Sequence, residues 1–89
     1  MSTNFHINAK REIFIPKINK YEEQYIWFDC IQTPPVDTQV LMSAKDPIKA
    51  YKKWVKINFP KVYKFHIKEL RDFILVSNTA GFEVGYEAW

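Results

Sequence analysis

Hydrophobic and polar residues alternate in the N-terminal stretch NFHINAKREIFIPKI (4–18). The residues of one parity are apolar, with Arg11 as the exception: Phe5, Ile7, Ala9, Ile13 and Ile15. Because successive side chains of a strand point to opposite faces of its sheet, this pattern predicts one strand or two short ones. Pro16 has no N–H for a ladder hydrogen bond, so we expect the end of this strand at a sheet edge.

The stretch DPIKAYKKWVKINFP (46–60) has a helical period instead. Asp46 is a favourable N-cap residue, and Pro47 suits the first helical position, where its missing N–H costs nothing. At about 100° per residue, the apolar residues fall on one half of the helical wheel. They are Ile48, Ala50, Tyr51, Trp54, Val55 and Ile57. Pro60 ends the pattern, which predicts one amphipathic helix over about 47–58.

Two further strands are predicted before this helix. YIWFDCI (25–31) carries β-favouring residues on both parities, as is typical of a central strand, and QVLMSA (39–44) fits a short strand. The polar stretch NKYEEQ (19–24) is interpreted as a connection. QTPPVDT (32–38) is expected to break regular structure, because two consecutive prolines remove two ladder donors and fix two φ angles.

Two alternating stretches follow the helix. VYKFHIK (62–68) and FEVGYEA (82–88) each place apolar or aromatic side chains on one parity and mostly charged ones on the other. This pattern predicts a strand in each stretch, with Tyr63, Phe65 and Ile67 facing inward in the first.

The segment ELRDFILVSNTAG (69–81) fits two interpretations. Its apolar residues also recur at helical spacing, so a second helix over about 67–79, with Gly81 as its C-cap, is one of them. We favour the other, a strand over DFILV (72–76) followed by a hairpin through SNTAG (77–81), because β-branched residues are dense there.

Together the elements predict an α+β fold, in which a small antiparallel β-sheet is packed against one amphipathic α-helix. The length of 89 residues predicts a single compact domain over 1–89, and 47% hydrophobic residues are enough to form a core. A single cysteine, Cys30, cannot form an intramolecular disulfide and fits a reducing compartment. The N-terminus is polar and unlike a secretion signal, so we expect a cytoplasmic protein without a membrane segment.

The formal net charge of +3 conceals a strong segregation of charge. Residues 45–68 contain eight lysines and one acid, whereas residues 69–89 contain four acids and one arginine. Four of these lysines lie on the polar half of the predicted helix: Lys49, Lys52, Lys53 and Lys56. One interpretation is an ordinary solvated face, for which lysine is a good helix former. The other is supported by the absence of acids at i+3 or i+4, where a solvated face usually mixes signs: the four lysines are partner-binding residues that dock on an acidic macromolecular surface.

A second set of residues suggests a different partner. The predicted strands 25–31 and 62–68 place aromatic and basic side chains on the sheet face that the helix leaves uncovered. Such a surface would stack bases and hold phosphates. The alternative function is therefore an RNA or single-stranded nucleic-acid-binding module with this face: Tyr25, Trp27, Lys64, His66 and Lys68. We favour a protein partner over RNA or DNA, because the acidic C-terminal part repels phosphate.

The sequence contains no convincing catalytic signature. Its two glycines cannot form a phosphate-binding loop, and His6 and His66 lack a second ligand at metal-binding spacing. Cys30 in an apolar stretch is typical of a buried small hydrophobe, although a pair of Cys30 with His66 would suit a nucleophile and its base. We therefore expect no enzyme activity, no metal and no cofactor.

The leading functional hypothesis is a small non-enzymatic binding protein: a regulator, an accessory subunit or a phage-encoded inhibitor of a host protein. Lysine, isoleucine, asparagine, tyrosine and phenylalanine are common, and these residues have AT-rich codons, as many bacteria and phages prefer. A further alternative is a self-assembling structural protein or homodimer, in which the basic middle pairs with the acidic C-terminal part of another copy and Trp89 anchors the contact.

Overall fold

The computed structural model describes residues 3–89. Three strands and three helices follow one another along the chain: β1 (Phe5–Ile15), β2 (Lys20–Trp27), α1 (Pro35–Ser43), α2 (Pro47–Asn58), α3 (Tyr63–Thr79) and β3 (Glu83–Ala88). The strands form one antiparallel sheet in the order β2-β1-β3. The predicted α+β fold with a small antiparallel sheet is confirmed.

The alternating N-terminal stretch is one continuous central strand, β1. Its inward residues Phe5, Ile7 and Ala9 are buried, as the pattern predicted. Pro16 lies in the turn just after the strand, and Asn19 takes a positive φ of 52° before β2 begins. Asparagine tolerates this left-handed conformation better than most residues, so it suits the end of the turn.

The interpretation of residues 19–24 as a polar connection was wrong, because β2 already begins at Lys20. This strand pairs with β1 from Ile15↔Lys20 to Asn8↔Trp27. The pairing of β1 with β3 ends at Lys10↔Glu83, so the rest of the hairpin is a two-stranded ribbon. Both faces of a two-stranded ribbon meet solvent, which is why polar residues such as Glu22 are accommodated in a strand there.

The prediction of a central strand over 25–31 was also wrong. β2 is an edge strand that ends at Trp27, and the chain then leaves the sheet. The Phe28 N–H still donates to the Ile7 carbonyl at 2.9 Å, but the Cys30 N–H turns back to the Phe28 carbonyl at 3.0 Å, and the Ile31 N–H donates to the Tyr51 hydroxyl at 2.8 Å. This segment therefore follows the helical layer, which explains its apolar residues on both parities.

The short strand predicted over 39–44 does not exist, because residues 39–43 form the second half of α1, and the two prolines begin this helix. Pro34 is the N-cap of α1 and Pro35 is its first residue, where a missing N–H is tolerated. The buried hydroxyls of Thr33 and Thr38 lie 2.6 Å apart, and Thr33 accepts the Phe5 N–H at 3.0 Å. These hydrogen bonds fix the start of α1 against the start of β1.

The amphipathic helix predicted over 47–58 is confirmed as α2. The Asp46 carboxylate accepts the Lys49 backbone N–H at 3.2 Å, and Pro47 is the first helical residue. On its inner side Tyr51 and Val55 are fully buried in the main core cluster. That cluster comprises Phe5, Ile7, Leu41, Tyr51, Val55 and Leu70.

The predicted strands over 62–68 and 72–76 do not exist, since Tyr63–Thr79 is the continuous helix α3. Its buried residues recur at helical spacing: His66, Ile67, Leu70 and Ser77. Phe65, expected to face inward, is 70% exposed. Tertiary burial of this helical stripe overrides the β-branched composition on which the strand prediction depended.

The helix ends in a Schellman motif at Gly81. The Phe82 N–H donates to the Ser77 carbonyl at 2.9 Å, the Gly81 N–H donates to the Asn78 carbonyl at 3.1 Å, and Gly81 has a φ of +84°. The alternative of a second helix capped by Gly81 is therefore the correct one.

The strand predicted over 82–88 is confirmed as β3. No helix of the described chain is long and apolar enough to cross a membrane.

Candidate functional site

The lysine face of α2 consists of Lys49, Lys52, Lys53 and Lys56. Lys49, Lys53 and Lys56 are exposed, and Lys52 is half-buried. The Lys56 ammonium lies 5.8 Å from the centre of the Tyr63 ring, within the range of a cation–π interaction. In the described chain, the Asp37 carboxylate accepts a hydrogen bond from Trp54, and the Glu23 carboxylate accepts one from Tyr25. Neither hydrogen bond involves one of these lysines.

A groove of about 680 Å³ lies beside the lysine face. Lys45, Lys49 and Lys53 line it together with Tyr86, which is 42% exposed, and the remaining lining residues are Asp46, Pro47 and Ala50. Because Asp46 accepts the Lys49 N–H in the first turn of α2, the helix backbone that carries Lys49 and Lys53 is held in place at its N-terminus. The arrangement combines several ammonium groups with one aromatic surface.

The proposed nucleic-acid face is divided by the fold. Tyr25 and Trp27 are exposed on β2, but Lys64, His66 and Lys68 lie on α3 and not on a strand. His66 is buried and packs against the ring of Phe28, at 5.3 Å between ring centres. Lys64 and Lys68 share an exposed side of α3, since they are one helical turn apart. The expected continuous surface of these five residues is therefore absent from the described structure.

An aromatic cluster on the outer sheet face consists of His6, Tyr25, Trp27 and Trp89. The His6 ring stacks on Trp89 at 3.7 Å, Trp89 meets Trp27 edge to face at 5.7 Å, and Tyr25 stacks on Trp27 at 6.1 Å. The sequence interpretation missed His6 as a member. Its opposite parity to Phe5 in β1 was the signal that places it on this outer face.

Two carboxylates, those of Glu23 and Glu87, lie beside this aromatic cluster, and Lys10 pairs with Tyr25 in the sheet register. The Tyr25 hydroxyl donates to Glu23 at 2.9 Å, and this hydrogen bond and the charge of Glu23 raise the pKa of Tyr25, with a smaller contribution from Glu87. Glu87 pairs with His6 in the sheet register. Carboxylates beside the stacked rings repel phosphate groups, which opposes nucleic-acid binding at this face.

A second groove, which we call the acidic groove, has a volume of about 600 Å³. It lies between residues 26–29 and α3. Its apolar part comes from Ile26, Trp27, Phe28, Phe73 and Val76, and its carboxylates come from Asp29, Glu69 and Asp72. No sequence pattern indicated this groove, because its two sides are about 40 positions apart along the chain.

Cys30 and His66 are separated by the hydroxyl of Tyr51. This hydroxyl lies 2.7 Å from His66 Nε2 and accepts the Ile31 N–H at 2.8 Å. Burial raises the pKa of the Cys30 thiol to about 11, so the thiol is protonated near neutral pH. Burial also lowers the pKa of His66, although the charges of Glu69 and Asp29 act in the opposite direction. The arrangement is that of a buried polar contact that joins α2, α3 and the segment after β2.

Among residues 3–89, no group of three or more His, Cys, Asp or Glu side chains could hold a metal ion. No protein-family model, curated protein or solved structure matches this chain.

Proposed function

We propose that this chain is a small non-enzymatic binding protein that docks on an acidic macromolecular surface through the lysine face of α2. The observation that carries the proposal is the presentation of four lysines on one capped helix whose other side is fixed in the core. Partner binding then requires little ordering of the backbone, which reduces the entropic cost of association.

The groove beside the lysine face supports an acidic protein partner. Three lysines, Lys45, Lys49 and Lys53, and a single carboxylate, Asp46, line the same groove as the ring of Tyr86, so a carboxylate and a neighbouring apolar side chain can be bound together. Lysine acts as a mobile point charge, and such contacts steer association at long range and weaken as salt is added. A regulator, an accessory subunit or a phage-encoded inhibitor of a host protein would use a surface of this kind.

The test is affinity purification from the natural host with two charge-reversal variants. One variant replaces the lysine face, Lys49, Lys52, Lys53 and Lys56, by glutamate. The control replaces four other exposed lysines by glutamate: Lys17, Lys20, Lys64 and Lys68. Both variants have the same formal net charge, so a difference between them reports on position rather than on total charge.

We expect the wild type and the control to retain the same partner, in a salt-sensitive manner, and the lysine-face variant to lose it. Recovery of the same partner by both variants with equal affinity would overturn the proposal. Circular dichroism of each variant shows whether the fold is preserved before binding is compared.

The nucleic-acid alternative receives less support from the geometry, because its basic residues are separated from Tyr25 and Trp27. A filter-binding titration at low salt measures whether the chain retains single-stranded RNA. Retention that disappears in Trp27→Ala would favour a nucleic-acid partner over a protein partner.

The homodimer or other self-assembly stays a prediction. Sedimentation at low and high salt tests it, and a monomer in both conditions rejects it.

A further inference from the structure

We infer that the acidic groove is a second docking site, which binds a cationic amphipathic segment of a partner protein. Such a segment carries an apolar side chain that enters the groove and lysines or arginines that meet its carboxylates. The inference does not rest on the proposed function, since the acidic groove and the groove beside the lysine face share no lining residue.

One side of the acidic groove is a regular stripe along α3. Glu69, Asp72, Phe73 and Val76 follow the spacing i, i+3, i+4, i+7, so they lie on one side of the helix. Within this stripe the carboxylates come first and the apolar residues follow. A partner segment with a basic end and an apolar end therefore finds both complements along one helix.

The opposite side comes from the end of β2 and the residues after it. Phe28 packs against Phe73 with 5.5 Å between ring centres and against His66 at 5.3 Å, so the floor of the groove is made of fixed rings. Trp27 stands at its edge and is 46% exposed. Rigid aromatic rings that are partly exposed are frequent anchors of protein interfaces.

Much of the apolar lining of the groove is exposed to solvent. Val76 is 64% exposed and Ile26 is 39% exposed, and both line the groove together with Trp27. Contiguous exposed apolar residues with a polar rim are characteristic of interaction sites. The volume of about 600 Å³ accommodates a few side chains of a docked segment.

The charge of the rim determines the kind of partner. Asp29, Glu69 and Asp72 contribute three carboxylates, and no lysine or arginine is among the described residues that line the groove. The chain has a net charge of +3, whereas the side chains that line this groove carry only negative charges. An acidic segment would be repelled by the rim, whereas a cationic one is attracted by it.

A synthetic amphipathic peptide of leucine and lysine serves as the probe, and a peptide of leucine and glutamate with the same spacing serves as the first control. Binding is followed by fluorescence anisotropy of the labelled peptide, and its position by amide chemical-shift changes of the full chain. An oligolysine peptide of the same charge separates the contribution of the apolar side chains from that of charge alone.

Two variants with equal changes in net charge locate the site. Asp29→Asn/Glu69→Gln/Asp72→Asn neutralises the rim, and Glu12→Gln/Glu22→Gln/Glu83→Gln neutralises three exposed carboxylates elsewhere. A third variant, Val76→Lys, places a positive charge inside the groove. The lysine-face variant provides the remaining comparison, since it leaves every residue of the acidic groove unchanged.

We expect the leucine–lysine peptide to bind at least tenfold more weakly to the rim variant and to Val76→Lys, while the matched control and the lysine-face variant bind it at least as well as the wild type. Shift changes should concentrate on residues 26–29 and 69–77. Equal weakening by the two triple variants, or equal binding of oligolysine, would overturn the inference. Self-association of the wild type that the rim variant abolishes would also overturn it, because the occupant would then be a second copy of this chain.

Discussion

Replacement of Tyr51 by phenylalanine tests the polar contact at the centre of the helical layer. Tyr51 is fully buried, and its hydroxyl contacts the Ile31 N–H at 2.8 Å and His66 Nε2 at 2.7 Å. Burial raises the pKa of this phenol and lowers the pKa of His66, so both groups are neutral near pH 7. The hydroxyl therefore accepts the Ile31 N–H and forms a second hydrogen bond with the neutral imidazole, in which the tautomer of His66 determines the donor.

The magnitude follows from the two hydrogen bonds that are lost. Each contributes about 0.5–1.5 kcal/mol net, and a buried group left without a partner costs about 1–3 kcal/mol. The phenylalanine ring keeps the contact with Phe5 at 5.5 Å, so the packing contribution is nearly unchanged. We expect Tyr51→Phe to reduce the free energy of unfolding by about 2–4 kcal/mol. For a domain of this size, each kcal/mol lowers Tm by about 4–8 °C.

Urea and thermal unfolding, followed by far-UV circular dichroism, measure this loss. Tyr21→Phe is the matched control, since it makes the same chemical change on a side chain that is 72% exposed. We expect the control to remain within about 0.5 kcal/mol of the wild type. A Tyr51→Phe protein as stable as the control would show that the Ile31–Tyr51–His66 contact contributes nothing, and that the three segments are joined by apolar packing alone.

Three further predictions concern stability. Leu70→Ala, in the fully buried core, should cost about 2–5 kcal/mol in urea unfolding, and a cost below 1 kcal/mol would contradict the packing of α3 on the sheet. Gly81→Ala should cost about 1 kcal/mol, because alanine is strained at φ +84° although no atom lies within 4 Å of the added Cβ. The pKa of His66 is lowered on folding, so the unfolded chain binds more protons than the folded one. The contribution of neutral His66 to the free energy of unfolding is therefore complete above about pH 6.5 and is lost as pH falls below that value. Subtracting the Tm–pH profile of His66→Gln should reveal this loss, and a difference that does not change with pH would refute it.

The parts of the fold that could be predicted are those fixed by local chemistry. The α2 helix has a capping aspartate, a proline at its first position and a clear helical period, and each of these acts within a few residues. The first half of β1 alternates because Phe5, Ile7 and Ala9 are buried on its helix-covered face. The lysine face could be placed on the polar half of α2 for the same reason.

Residues 62–81 could not be assigned from local pattern, because two periods are present at once. Tyr63, Phe65 and Ile67 alternate, while Ile67 and Leu70 also fit a helix. Contacts distant in sequence decide between them, above all that of His66 with Tyr51. The predicted nucleic-acid face required a strand over 62–68. Because this segment is helical, Lys64, His66 and Lys68 lie on α3, away from Tyr25 and Trp27 on β2.

The acidic groove shows why charge along a sequence is an incomplete guide to charge on a surface. Residues 45–68 are strongly basic, but the α3 residues that enter the groove begin at Glu69, where the sign of the sequence reverses. The contact of Phe28 with Phe73 then brings Asp29 to the same place. A basic helix face and an acidic groove thus coexist in one small chain, because the sign of the charges reverses within α3 after Lys68 and because the chain leaves the sheet after Trp27. The two proposed docking surfaces share no lining residue, so an acidic and a cationic partner would bind this chain without competing for a side chain.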